Sequence, residues 1–233
     1  MKMNLHCFAN LIPIMILALF SNSGLINATE VGKRTDALEA SAWNDSQWIS
    51  VVDAPVVKGH NNGRAADGAS WFVSTVKNEL EVISAKWMTA GLGIYELYVN
   101  GKPVGEEFLK PGFTHYAKTK RSFTYDITDV IRTKTPGWWA DKIITPGGYD
   151  GMIGKKCAFR GVLELTFSDG TKKRYGTDLK NWKAGIAGPV KHAGIFDGEE
   201  YDAREPMGYE CVDKLSTPDE NTEFSGDILP SDG

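Results

Sequence analysis

Three cysteines and four histidines are all that the 233 residues supply. That is too little cysteine for a disulfide scaffold, and no His/Cys set has zinc spacing. Cys157 and Cys211 read as two separate buried thiols, although an oxidising compartment would allow a bridge. No Lys/Arg stripe marks a nucleic-acid face, and the net charge of −4 names no particular ligand. Gly91-Leu92-Gly93 precedes a strand and not a helix, which excludes a phosphate loop. There is no Gly-x-Ser-x-Gly nucleophile elbow. No metal and no cofactor is indicated. Long apolar runs are missing as well: the longest, Leu11 to Phe20, is about half of the ~20 residues a membrane span needs, so no stable span is expected.

That short run has another reading. Lys2 precedes it, the polar stretch Ser21-Asn22-Ser23-Gly24 follows it, and Ile26-Asn27-Ala28 is an acceptable cleavage site before Thr29. Residues 1–28 thus read as a secretory signal peptide, with the rest exported to the periplasm or beyond the cell. Cys7 lies before the apolar run, where a lipid-modified cysteine would not sit. Loss of Lys2 with this segment makes the net charge −5.

Turn formers and aromatics are plentiful: 25 Gly, 10 Pro, 7 Trp, 8 Tyr and 10 Phe. They favour many short strands over long helices. Residues 29–70 read as a leader and loop region with one short helix at Asp36 to Ala42. Beyond them, alternation dominates. Ile83, Ala85, Trp87 and Thr89 share a face, as do Tyr95, Leu97 and Val99, then Phe123, Tyr125 and Ile127, then Leu163, Leu165 and Phe167. Asn100-Gly101 predicts a type I′ hairpin, because both residues tolerate positive φ. Asp169-Gly170 predicts a second hairpin. Thr128 to Arg132 predicts one helical turn, capped by Asp126 or Thr128. Trp43, Trp48, Trp71, Trp87 and Trp182 read as packing residues. The expected fold is all-β: a β-sandwich or jelly roll of galactose-binding-like type over 71–211, with short helical turns. Residues 212–233 are acidic and turn-rich and read as a linker-like tail.

Several ordered segments carry a family resemblance. They are Gly91 to Gly105 (GLGIYELYVNGKPVG), Leu109 to Tyr116 (LKPGFTHY), Tyr125-Asp126-Ile127-Thr128, Gly137-Trp138-Trp139, Asn181-Trp182-Lys183 and Ile195 to Arg204 (IFDGEEYDAR). Together they resemble the N-terminal β-sandwich domain of bacterial α-L-rhamnosidases over roughly residues 70 to 205. In that family the module precedes further β-domains and a helical barrel bearing the catalytic carboxylates. The resemblance therefore implies a front module without the catalytic barrel. It also implies an apolar strand between the Tyr-Asp-Ile-Thr and Gly-Trp steps, a gap that Arg132 to Pro136 bridges directly here.

Trp138 and Trp139, with Asp141 and Lys142, form the leading candidate ligand surface. Sugar CH faces stack on rings, and sugar hydroxyls bond to carboxylates and amines. His115 and Tyr116 follow a Pro-Gly turn and are candidates for the same edge. The competing reading places these rings in a core or interface. Asp197, Glu199, Glu200 and Asp202 put four carboxylates within six residues. Glycoside hydrolysis needs two carboxylates held on opposite sides of one bond, whereas clustered acids at a turn are ordinarily structural. Asp197, Glu199, Asp202 and Arg204 are thus expected to form an ion-paired structural or domain-interface clamp. The leading functional expectation is a non-catalytic accessory module of an α-L-rhamnosidase system. Its expected partners are a rhamnose-containing oligo- or polysaccharide and catalytic α-L-rhamnosidase domains. A free-standing lectin is the alternative, and a hydrolase using the 197–202 acids ranks last.

Overall fold

A computed structural model describes residues 31–52, 69–76, 80–112, 114–131, 137–144, 157–194, 198–223 and 226–231, with the backbone path alone for 137–144 and 192–194. Residues 1–28, where a signal peptide is expected, and residues 132–136 lie outside them.

The strands in chain order are β1 (Lys33–Arg34), β2 (Ile49–Ser50), β3 (Ser70–Val76), β4 (Val82–Leu92), β5 (Ile94–Val99), β6 (Lys102–Pro103), β7 (Thr119–Asp126), β8 (Gly137–Ile144), β9 (Ala158–Phe167), β10 (Lys172–Gly176), β11 (Trp182–Gly185), β12 (Val190–Gly194), β13 (Gly198–Tyr201), β14 (Asp219–Glu220) and β15 (Asp227–Pro230). One sheet runs β1-β7-β4-β9-β2-β14, with β10 added to β9 and β15 to β7. The second runs β11-β3-β8-β5-β6, and β12 with β13 makes a separate ribbon. The β15–β7 pair is parallel.

The two sheets enclose one large apolar core. Phe159 sits amid four rings, with centroids 5.7 Å from Trp182, 6.0 Å from Phe72, 6.2 Å from Tyr95 and 6.4 Å from Trp87. Tyr95, Leu97 and Val99 from one sheet meet Trp87, Tyr125, Leu163 and Leu165 from the other and Ile127 just past β7, all buried. The alternation expected for these strands is realised, because a one-residue slip would turn each set to the other face.

A second, smaller core lies on the outer face of β4 and β9. Met88, Ala90, Leu92, Ala158 and Val162 pack there under Ala42, Trp43, Trp48 and Tyr116, with Ile228 alongside. These two strands therefore bury both faces. The five tryptophans expected to pack are all buried, and so are the two cysteines, which are free thiols.

Local chemistry accounts for the turns. Asn100 and Gly101 have φ of 52° and 75°, and Val99 pairs with Lys102 across them, so two residues close the hairpin. Thr128–Ile131 forms the short helix α1, whose start is fixed by Asp126 Oδ1 accepting the Thr128 N–H at 3.0 Å.

Four expectations are corrected. Ile83 is exposed and Val82 is buried, because β4 carries a bulge: Val82 pairs with Phe167 and Ser84 with Thr166, leaving Ile83 between them. The helical turn in the leader spans Ala40–Asp45 and is 3-10. The leader itself is part of the large sheet through β1 and β2. The tail is no linker: β14 pairs with β2, and β15 runs beside β7.

Candidate functional site

Strand β8 lies between β3 and β5, and its register divides the tryptophan set. Trp139 stands opposite Ser74 and Val99, and Asp141 opposite Phe72 and Leu97. Trp138 stands opposite Thr75, and Lys142 opposite Trp71 and Glu96. Directly opposed residues share a face. Phe72, Leu97 and Val99 belong to the inter-sheet core, so Trp139 and Asp141 hold positions on that face. Trp138 and Lys142 hold positions on the outer face. The four residues therefore do not form one surface.

Tyr116 is a correction of a different kind. It is 1% exposed, its Oη accepts the Gly93 N–H at 3.3 Å, and burial pushes its phenol above its ordinary value. It packs in the second core and offers no ring to a sugar. His115 beside it is exposed, and its carbonyl accepts the Lys118 and Thr119 N–H groups in a tight turn before β7.

Asp197 lies outside the described residues. Glu199 is an exposed position on β13 opposite Ala193. Asp202 receives Arg204 Nε at 2.8 Å, Arg204 Nη2 at 2.7 Å and the Arg204 N–H at 3.1 Å. This bidentate grip holds the Asp202 carboxyl below its usual range. The motif's Asp and Arg make a local clamp across two residues, at the end of a ribbon. Among the described residues, no group of three His, Cys, Asp or Glu could hold a metal.

The structure also assembles a polar groove that sequence reasoning did not mark. Its volume is about 450 Å³, and its walls include Asp45, Thr75, Arg174, Tyr175, Asp178 and Asn181. Three distant segments meet there, each held from behind. Asp45 ends the 3-10 turn that Arg160 clamps: Arg160 Nε donates to Ser46 Oγ at 3.0 Å, Nη2 donates to the Ser46 carbonyl at 2.8 Å, and Nη2 also reaches the Trp43 carbonyl. Gly176 lets that turn approach, since a methyl there would collide with the Asp45 carbonyl. Arg174 donates Nε to Glu164 at 2.8 Å and lies 3.5 Å from Asp45. Glu164 is also reached by Lys172 at 3.2 Å. Burial alone would raise the Glu164 carboxyl, but the Arg174 and Lys172 bonds outweigh it and hold it low. Asp178 Oδ1 accepts the Lys180 N–H at 2.8 Å, and Oδ2 accepts Asn181 Nδ2 at 2.7 Å. Ser74 Oγ ties the same loop down through the Asn181 carbonyl at 3.1 Å. In sequence, Asn181-Trp182-Lys183 stands out as a step of the family resemblance and Trp182 as a packing residue, with no sign of a groove. Asp45 and Arg174 lie 129 residues apart, and no local spacing could have joined them.

The sequence profile described as Alpha-L-rhamnosidase N-terminal domain matches residues 80–220. The chain belongs to this family. An α-L-rhamnosidase of Streptomyces avermitilis is 31% identical over 214 residues, covering 84% of this chain but 20% of the relative. The α-L-rhamnosidase N-terminal domain fold is also seen in solved structures. The rhamnosidase from Dictyoglumus thermophilum superposes with a TM-score of 0.69 at 21% identity, over 81% of this chain and 22% of that one. The Streptomyces avermitilis rhamnosidase in complex with L-rhamnose superposes with a TM-score of 0.53 at 28% identity, over 72% of this chain and 16% of that one. The chain thus spans about one fifth of the length of these relatives.

Proposed function

We propose that this chain is a non-catalytic, carbohydrate-associated module of an α-L-rhamnosidase system acting on rhamnose-containing glycans. The observation that carries this reading is its membership of the N-terminal domain family over 80–220, at one fifth of the length of the relatives. A domain of this kind braces the catalytic unit or presents polysaccharide to it. Two further features support the reading. The Asp202 and Glu164 carboxylates are engaged by arginine side chains of the fold itself. One relative is seen with L-rhamnose, which makes a rhamnose-bearing glycan the natural first ligand. The module is exported by residues 1–28, where glycans are met, and its partners are catalytic rhamnosidase domains. Trp138 and Lys142, at β8 positions on the face away from the inter-sheet core, with exposed His115, are the proposed glycan contacts.

Calorimetric titration of the purified chain with rhamnogalacturonan tests the proposal. Saturable heat is expected, weakened by Trp138→Ala. Absence of heat with this polysaccharide and with L-rhamnose would rule against a carbohydrate role.

A further inference from the structure

We propose that the groove between Asp45, Thr75, Arg174, Tyr175, Asp178 and Asn181 is a saccharide-binding subsite that takes a neutral sugar residue by its hydroxyls. The proposal rests on reading the chain as carbohydrate-associated, and it goes beyond that reading by placing a second contact away from the original candidates. Three observations converge on it.

The first is the lining. Sugar hydroxyls both donate and accept, so a saccharide site needs both kinds of partner close together. Asp45 and Asp178 supply acceptors, while Arg174, Lys173 and the Asn181 amide supply donors. Both charge signs are present, which favours a neutral ligand over an anionic or cationic one. Capacity remains after the internal bonds are made. A carboxylate has about four lone-pair sites and a guanidinium five N–H donors. Arg174 spends Nε on Glu164, and its Nη1 faces Asp45 at a longer 3.5 Å.

The second is rigidity. Asp45 is fixed by the Arg160 clamp on the preceding turn, Arg174 by Glu164, and Asp178 with Asn181 by their mutual bonds and by Ser74. A groove whose polar groups are already held loses little side-chain freedom on binding.

The third is position. Tyr175 brings an aromatic ring to the wall, partly packed on the main core. Thr75, which also lines the groove, stands directly opposite Trp138 in the register of β3 and β8. The groove therefore borders the Trp138 end of β8.

The test is a titration of the purified, 15N-labelled chain with L-rhamnose, followed by amide NMR. Saturable shifts centred on Thr75, Arg174, Tyr175 and Asn181 are expected. Tyr175→Ala should weaken the affinity about tenfold. Asp45→Asn, at a half-exposed position, should weaken it in the same direction; unchanged spectral dispersion verifies that both variants are folded. Saturable shifts confined to β8 and indifferent to both variants would overturn the groove and leave the carbohydrate reading standing. If L-rhamnose gives no shift while rhamnogalacturonan gives heat, the same variants decide: lost heat supports the groove, and unchanged heat overturns it. No response to either sugar overturns both proposals.

Discussion

The middle of the chain and its two ends are built by different physics. Strands β4, β5, β7 and β9 are held by apolar faces meeting around Phe159, Trp87 and Tyr95. The end segments 31–50 and 219–231 add a smaller apolar set, chiefly Ala42, Trp43 and Trp48 on the outer face of β4 and β9, and a second kind of fastening. They are also fastened by polar side chains, some reaching out from the middle and some joining one end segment to the other. Arg160 grips the carbonyls of Trp43 and Ser46, and Lys120 donates to the Gly226 carbonyl. Arg34 donates to the Ser231 carbonyl at 2.6 Å, and Asn221 Nδ2 to Ser50 Oγ at 2.9 Å. A periodic pattern in sequence announces the first kind of bonding. Nothing local announces the second, since the donor and the carbonyl it seeks are often more than a hundred residues apart.

The sharpest way to break this contrast is at its centre. Phe159→Ala empties the middle of a four-ring cluster and should cost about 3–5 kcal/mol in urea-induced unfolding. The end clamps should cost less and act locally. Arg160→Met removes charge-assisted bonds to two carbonyls, worth about 1.5–3 kcal/mol. It should raise amide exchange in residues 42–48 well before β4 and β9 respond. Equal exchange in both regions would show that the ends are welded to the core as tightly as its own strands.

Alkaline pH should pull the two regions in opposite directions. Tyr125 is in the core, and burial, followed by Tyr95 and Glu107, pushes its phenol far above the ordinary value. The unfolded chain releases that proton near pH 10, so it then binds fewer protons than the fold, and stability falls as pH rises through 10. Tyr125→Phe should flatten that fall by up to about 1.4 kcal/mol per pH unit. Lys120 is buried beside β15, and burial lowers its amine despite the nearby Asp227. Between its lowered value and about 10.4 the unfolded chain holds the extra proton, so this group adds stability as pH rises. Lys120→Met should abolish that contribution, seen as a steeper relative loss of β15 protection for wild type toward neutral pH. The smallest effect is expected at the ribbon. Arg204→Ala breaks an exposed ion pair and should leave the melting temperature unchanged within error.

The same contrast explains what was legible beforehand. Tyr95, Leu97 and Val99 announced their face, and Asn100-Gly101 announced its turn, because both signals are local. Ile83 misled because a bulge adds a residue without changing the sequence pattern. The tail 212–233 read as a linker because β14 and β15 are short edge strands, fastened by side chains from Ser50, Lys120 and Arg34. Strand β8 was read as a cluster of possible ligands, and alternation alone would have separated Trp138 from Trp139. Tyr116 looked like an edge residue after Pro111-Gly112, yet the outer face of β4 and β9 needed a cover and took its ring. The groove was invisible because its walls come from residues 45, 75 and 174–181.

Glu164, Asp202, Arg160 and Arg34 all spend their charged groups on fastening the fold. The most direct test of the account is hydrolysis of an aryl α-L-rhamnoside by the purified chain at micromolar concentration. Release of the aryl group at the rate of the buffer blank is predicted. Turnover that persists through purification and is abolished by Glu199→Gln would contradict it and return the 197–202 acids to the centre of the chemistry.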